Sequence, residues 1–321
     1  MNYTVTKRRQ LYSFFSKDSN IGKLAPKRVL GRGAAGIVYY ACNPSACIAL
    51  KKNDMDRTES KYINDPFSDK ALKHSAYIEY ASGILINQLI SQRVCPNFVY
   101  SYNWKIKRRQ GTCDDIYPYK SLHYNEFINN AQTYSEWADT QHSLEEFDNA
   151  YFQITVGLYA LQTYFNMKHL DLHSDNIMVR RVTPGGYWKY TINGENYHVP
   201  NLGYIFYIND YGHAWVPDNF QSWFIRQRFN KKRVHKGVDI MHLFRSTLDF
   251  STSPKAFKNK IRKLIRDLRD NVDFSTCIKA IWGEQYASKD RRKLIESYNL
   301  DKPLRVNLLP PRLRTIVTRK A

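Results

Sequence analysis

His169-Leu170-Asp171-Leu172-His173-Ser174-Asp175-Asn176-Ile177-Met178 is the stretch whose reading decides the fold. It sets Asp171 and Asn176 in one polar loop, between a long helical pattern and a short apolar run. A carboxylate can orient an attacking hydroxyl and an amide oxygen can hold a metal ion. Phosphoryl transfer asks for both. The loop gains its meaning from segments that stand in a fixed order around it.

Upstream, Gly31-Arg32-Gly33-Ala34-Ala35-Gly36-Ile37-Val38 fits the pattern GxGxxGxV. In a dinucleotide-binding turn such glycines open a helix. Here the β-branched and aromatic run Ile37-Val38-Tyr39-Tyr40 follows. The pattern therefore predicts a Gly-rich hairpin whose missing side chains let backbone N–H groups approach phosphates. A tight hairpin without a ligand is the plain alternative. After a turn at Asn43-Pro44-Ser45, Ile48-Ala49-Leu50-Lys51 reads as a strand carrying a lysine able to neutralise phosphates. Such a lysine needs a carboxylate to fix it. Glu79 is the acid inside the helical pattern of residues 71–92, with Asp69 and Glu59 in the polar loop 52–70 as alternatives. Downstream, Asp210-Tyr211-Gly212 closes a strand at 204–208, where a carboxylate can reach a metal. Asp171 then orients the acceptor hydroxyl, and Asn176 and Asp210 hold the metal. His169 packs beneath the loop, and the plain reading of His173 is a structural role in it.

The rest of the chain supplies a frame. Residues 1–24 are polar and basic and read as a partly ordered extension. Aromatic-rich strands are expected at 97–106 and 119–124. A long helix is expected over 143–167, with Ser143 as its cap and Glu146 as the matching acid three positions on. Residues 187–199 alternate around Asn193-Gly194 and predict a hairpin. After Val238 the pattern is helical, ending in a basic tail at 310–321.

The 321 residues suffice for two lobes with a shared core. The net charge of +20 favours anionic partners: acidic protein, nucleic acid or an anionic membrane. Part of it lies in Arg226, Arg228, Lys231, Lys232, Arg233 and Lys236, which predicts acidic protein substrates. Cys42, Cys47, Cys95, Cys113 and Cys277 form no CxxC pair, which argues against zinc and for reduced thiols. No apolar run has transmembrane length, no signal peptide is read, and Asn2 stands where myristoylation needs glycine. The oligomeric state is left open.

In order, Gly31/Gly33/Gly36, Ala49/Lys51, Glu79, His169/Asp171/Asn176 and Asp210/Gly212 resemble the motifs of the protein-kinase fold, over about residues 27–250. The chain is more closely similar to the divergent serine/threonine protein kinases of large nucleocytoplasmic DNA viruses. These carry a DLHxxNIM-type loop and an aromatic hairpin ending in a Val-Pro step, matched here by residues 171–178, the hairpin 187–199 and Val199-Pro200.

The resemblance implies an α+β, two-lobed fold. A small β-rich N-lobe (25–127) carries the Gly-rich loop, the Lys strand and an αC-like helix. A mainly helical C-lobe (128–300) carries the catalytic loop, hairpin insert, metal Asp and an αF-like helix, and a basic tail follows at 301–321. It implies transfer of the γ-phosphoryl of ATP, with Mg2+, to serine or threonine hydroxyls of proteins, in the host cytoplasm or packaged in the virion. Asp171, Lys51, Glu79 and His173 would be catalytic, and Asn176 and Asp210 would bind the metal. Gly31, Arg32, Gly33, Ala34, Ala35, Gly36, Ile37, Val38, Ala49, Lys51 and Met178 would bind the nucleotide. Three departures stand out. Leu170 replaces the arginine that reads a phosphorylated activation loop, no Ala-Pro-Glu follows Asp210, and the chain is short beyond Asp239, which resembles the buried Asp of the central lobe helix. Small-molecule kinases of the aminoglycoside or choline type share the loop. A pseudokinase-like binding module would lack one of Lys51, Asp171, Asn176 or Asp210, and all are present.

Overall fold

A computed structural model describes residues 5–33, 36–109, 117–217, 220–221, 235–247, 252–287, 293–307 and 309–317. The architecture is α+β. Strands β1 (Ala25–Gly33), β2 (Gly36–Cys42) and β3 (Cys47–Met55) form antiparallel hairpins, and β4 (Ser101–Arg108) and β5 (Tyr119–Asn125) complete a five-stranded sheet in the order β1-β2-β3-β5-β4. Helix α4 (Ser75–Ser91) packs on one face of this sheet. There Tyr80 stacks on Trp104 of β4 and Tyr77 meets the same indole edge-on. The loop expected at 52–70 is partly ordered. β3 runs on to Met55, and Asp56 caps α3 (Arg57–Ser60) in a reciprocal box with Glu59.

α4 lies unusually close to β4. A Cβ on Gly83 would stand 2.5 Å from Ser101 Cβ. The approach is fixed by Asn87, whose Nδ2 donates to Ser101 O (2.6 Å) and whose Oδ1 accepts from Ser101 N (3.1 Å). Gly83→Ala should therefore destabilise by about 1–3 kcal/mol through overpacking, although alanine gains about 1 kcal/mol of helix propensity. Urea unfolding checks this, and an equal or raised midpoint would show that the helix can move away freely.

Helix α6 (Leu144–Phe165) is the axis of the remaining chain and is buried on nearly every side. The expected cap forms as a full box: Ser143 Oγ accepts from Glu146 N (3.1 Å) and Ser143 N donates to Glu146 Oε2 (2.8 Å). Three further helices are α7 (Val238–Thr247), α8 (Lys255–Arg269) and α9 (Phe274–Ala287). α8 buries Phe257, Ile261, Leu264 and Leu268, the stripe that a 3.6-residue period dictates. Strands β6 (Ala131–Thr133), β7 (Ile177–Arg181) and β10 (Tyr204–Ile208) form a second sheet. The hairpin β8 (Tyr187–Ile192) and β9 (Glu195–Pro200) turns at Asn193 (φ 50°) and Gly194 (φ 77°), as expected. Buried Asn97 ties these parts together, donating to Gln153 Oε1 and Phe206 O (both 3.0 Å) and accepting from Tyr190 Oη (3.1 Å).

Two expectations are corrected, on the region after Val238 and on the cysteines, and two are filled in. The N-terminal extension, expected to be partly ordered, holds α1 (Val5–Phe15) and α2 (Asp18–Ile21), with Val5, Arg8, Phe15 and Ile21 buried. The region after Val238 is not all helical. β13 (Leu294–Asn299) pairs parallel with β8, a long-range contact that leaves no local turn signal. The basic tail is anchored by Leu313 and Ile316, both buried around α10 (Pro311–Arg314). Cys42 and Cys47 are not thiols: they face each other across the β2–β3 turn, Cα atoms 4.0 Å apart, and are disulfide-bonded. Cys95 and Cys277 are free and buried, and Cys113 lies outside the described residues. Among the described residues no helix is long and apolar enough to cross a membrane.

Candidate active site

Antiparallel register builds the site. Ile208 of β10 pairs with Ile177 of β7, so Asn176, just before β7, is brought beside Asn209 and Asp210, just after β10. Asn209 N donates to Asn176 O (3.0 Å). In the five-stranded sheet, Lys51 pairs with Val38 on one side and His123 on the other, while Ala49 pairs with Tyr40 and Asn125. Side chains alternate along a strand, so Val38, Ala49 and Lys51 share the sheet face that carries the site. Ile37, paired with Lys52, lies on the opposite face, away from the other expected nucleotide contacts.

Lys51 Nζ donates to Glu79 Oε1 and Oε2 (3.0 and 2.9 Å) and to Asp210 Oδ1 (2.9 Å). The lysine is 11% exposed. Burial works against its charge, yet the two carboxylates raise its pKa above the ordinary lysine value. Asp210 is held at about 2: burial pushes it up, but the charge and hydrogen bond of Lys51 outweigh burial, helped by His169 and the Gly212 amide. The alternatives to Glu79 fall elsewhere, since Glu59 belongs to the α3 cap and Asp69 pairs with Arg312.

Because the folded pKa of Asp210 lies below its unfolded value near 3.9, its stabilising effect is complete above about pH 4 and is lost as pH falls through about 2. The melting-temperature gap between wild type and Asp210→Asn should stay constant down to about pH 5 and close between about 4 and 2. A gap that persists undiminished at the lowest pH would contradict the Lys51–Asp210 coupling.

The catalytic-loop candidates are held from below. Asp239 on α7 is 1% exposed and accepts from His169 N (3.0 Å) and Leu170 N (2.8 Å). That pair of bonds fixes Leu170 in a left-handed conformation, φ 61°, with its side chain buried against Val238. His169 is buried, as expected. Its Nδ1 accepts from Asp171 N (3.3 Å), and its Nε2 donates to Asn209 O (2.8 Å). Asn176 Nδ2 donates to Asp171 O (2.8 Å), which leaves Oδ1 as the atom able to meet a metal. Asp171 keeps 38% of its side chain exposed, and His173 Nε2 lies 3.9 Å from its Oδ2. His173 Nδ1 also accepts from Asp175 N (3.3 Å) and caps the short turn of residues 174–176.

Arg32, Gly31 and Gly33 are exposed at the sheet's end, and Ala34 and Ala35 lie outside the described residues. A Cβ on Gly31 or Gly33 would meet nothing within 4 Å, so packing does not demand these glycines. A Cβ on Gly36 would stand 2.1 Å from Lys52 O, so that glycine is required by the close approach of β3. Met178 packs with Val99, Ile128 and Tyr207 under the segment that leaves β5. His123 was not anticipated from sequence. It is 1% exposed on β5, with Nε2 4.0 Å from Glu79 Oε2, and burial, partly offset by Glu79, lowers its pKa. Its cross-strand pairing with Lys51 is the signal that would have found it. Of the basic segment, Lys236 is described; Arg226, Arg228, Lys231, Lys232 and Arg233 lie outside the described residues.

No family model matches the chain. Over 200 residues, 58% of this chain, it is 24% identical to the "Probable serine/threonine-protein kinase 380R" of Invertebrate iridescent virus 6. A segment of 66 residues is 47% identical to the "Putative serine/threonine-protein kinase 019R" of Frog virus 3 (isolate Goorha). Over 197 residues it is 25% identical to the "Uncharacterized protein 011L" of Invertebrate iridescent virus 3. The chain spans 35%, 8% and 25% of the lengths of these relatives. The resemblance to viral serine/threonine kinases, read from the motifs, is what the comparisons find.

Proposed function

We propose that the chain is an ATP-dependent serine/threonine protein kinase whose α+β architecture is the two-lobed kinase arrangement, divided near residues 127–128. The observation that carries this is the bridge from Lys51 Nζ to both Glu79 and Asp210, beside the Asp171/Asn176 loop. A lysine, a helix carboxylate and a carboxylate after a strand, drawn from distant parts of the chain, are the parts that phosphoryl transfer from ATP asks for.

The residues fit a magnesium nucleotide. Asp210 is kept ionised, Asn176 has its amide nitrogen engaged and its oxygen left over, and Gly31 and Gly33 leave open space at the hairpin. Magnesium held by Asp210 and Asn176 would neutralise charge on the phosphates. Lys51, oriented by Glu79, would bind the α- and β-phosphates, and the backbone of the hairpin would cover them. Val38, Ala49 and Met178 would contact the base. Asp171, exposed and anchored through its backbone, would orient the acceptor hydroxyl and take its proton. His173, close to Asp171, would meet the γ-phosphate.

The test is transfer of radiolabelled phosphate from ATP to a panel of proteins and small alcohols, with phosphoamino-acid analysis. Label on serine or threonine of protein supports the proposal. Label on small alcohols alone would make the chain a small-molecule kinase. One regulatory expectation follows from Leu170: with no guanidinium at this position, no phosphate on the following segment can be read there. Phosphatase-treated enzyme should keep its initial rate. A large loss restored by autophosphorylation would contradict this.

A further inference from the structure

The five-stranded sheet has a second face, opposite Lys51. There a cavity of about 280 Å3 is floored by Tyr39, Leu50, Leu122 and Tyr124 and rimmed by Lys52, Lys107, Arg108, Arg109 and Lys120. Lys107 and Lys120 are direct cross-strand partners in β4–β5. Like charges in that relation destabilise a sheet. Lys52 sits diagonally across on β3, and its amine is made harder to protonate by burial and by Lys120 and Lys107. Among the described residues, Asp54 is the carboxylate that answers this cluster, pairing with Arg109 and, at 3.8 Å, with Lys120. Lys52, Lys107 and Arg108 pair with none among the described residues. Among the described residues, the fold thus holds five cations together around one carboxylate, Asp54, which reaches Arg109 and Lys120.

We infer that this groove docks an acidic peptide segment of a partner protein, its carboxylates on the Lys52/Lys107/Lys120 cluster and an adjacent apolar side chain on the Leu50/Leu122 floor. Charge complementarity decides the sign of the partner, and the mixed lining decides its class. A nucleic-acid strand asks for cations strung along a track and open aromatic faces for its bases. Here the cations gather at one end, the other end is apolar, and the ring of Tyr39 is covered by the Lys52 ammonium at 4.7 Å. The inference goes beyond the kinase proposal, because binding is read without nucleotide and either can fail alone.

The experiment measures fluorescence anisotropy of a labelled peptide of alternating Asp and Glu followed by Leu, on the full chain at low salt. A duplex oligonucleotide and phosphatidylserine vesicles are run beside it. Lys107→Gln combined with Lys120→Gln should weaken peptide binding by about tenfold, since each exposed charge contact is individually modest. The same variant should melt no lower than wild type, because repulsion is removed. Asp54→Asn removes the competing carboxylate and should tighten binding, the opposite sign. Unchanged affinity in the double variant overturns the inference. So does tighter binding of the duplex or vesicles that is lost in that variant. Peptide binding seen only after Asp114→Asn with Asp115→Asn would make the chain's own 110–116 segment the occupant and overturn it as well.

Discussion

Asp171→Asn is expected to lower phosphoryl transfer by on the order of 10²- to 10⁴-fold or more while leaving the protein as stable as wild type. Its carboxylate is partly exposed, and its backbone amide and carbonyl hold the loop. The amide variant keeps those bonds and removes only the carboxylate proposed as the proton acceptor. On the proposed reading, Asp210→Ala should lose activity on the same scale through its proposed hold on the metal, and Lys51→Met through its proposed hold on the phosphates. The stability outcomes differ. Lys51→Met leaves Glu79, 8% exposed, and Asp210 facing the same space without their shared cation, so it should melt well below wild type. Combining two of these variants should cost little more activity than one, since residues that act as a unit are not additive. Steady-state kinetics and thermal melts check both sets. Wild-type turnover in Asp171→Asn or Asp210→Ala would remove the catalytic assignment.

Arg8→Ala should produce the largest loss of stability in the described chain outside the apolar core. Arg8 and Glu126 have side chains 2% and 0% exposed. The guanidinium donates through Nε to Glu126 Oε1 (2.9 Å) and through Nη2 to Oε2 (2.7 Å), and it also reaches Pro96 O and Phe98 O. It lies between the rings of Tyr100 and Tyr207. Removing it strands a buried carboxylate, and breaking a buried pair costs about 3–5 kcal/mol. The melting temperature should fall by on the order of 10 °C. Arg8→Leu with Glu126→Leu should recover much of that loss, because the pair's large effect comes from the charge left behind. If the double variant is as unstable as Arg8→Ala, the loss lies in the packing of α1 and not in the stranded charge.

Local chemistry is what the sequence makes legible. The Ser143–Glu146 box, the Asn193-Gly194 turn and the strand alternation around Lys51 each lie within a few residues, and each forms. Lys51, Glu79 and Asp210 could be nominated because each sits in a recognisable local pattern, although their contacts span 28 and 159 residues. The support beneath them is harder to read. Arg8 looks like one more cation in a basic leader until Glu126, 118 residues away, is placed against it. His123 is one residue in an aromatic strand until register sets it beside Lys51. Residues 294–299 carry weak alternation, and only the exposed edge of β8 makes them a strand. Cys42 and Cys47 look irregular as spacings and regular as neighbours across a hairpin.

That last pairing on β8 has a consequence for how the chain is made. β8 and β9 can close as a hairpin as soon as residue 200 has been synthesised, but the outer edge of β8 waits for Leu294–Asn299. At translation speeds of about 5–20 residues per second, the wait is on the order of 5–20 s. Through that interval an aromatic strand carrying Tyr187, Trp188 and Tyr190 stands with one edge unpaired, a template for neighbouring nascent chains. Slow synthesis across residues 200–299 should therefore lower the soluble yield more than the same slowing elsewhere, and the protein's expression should depend on what shields that edge until its last strand arrives.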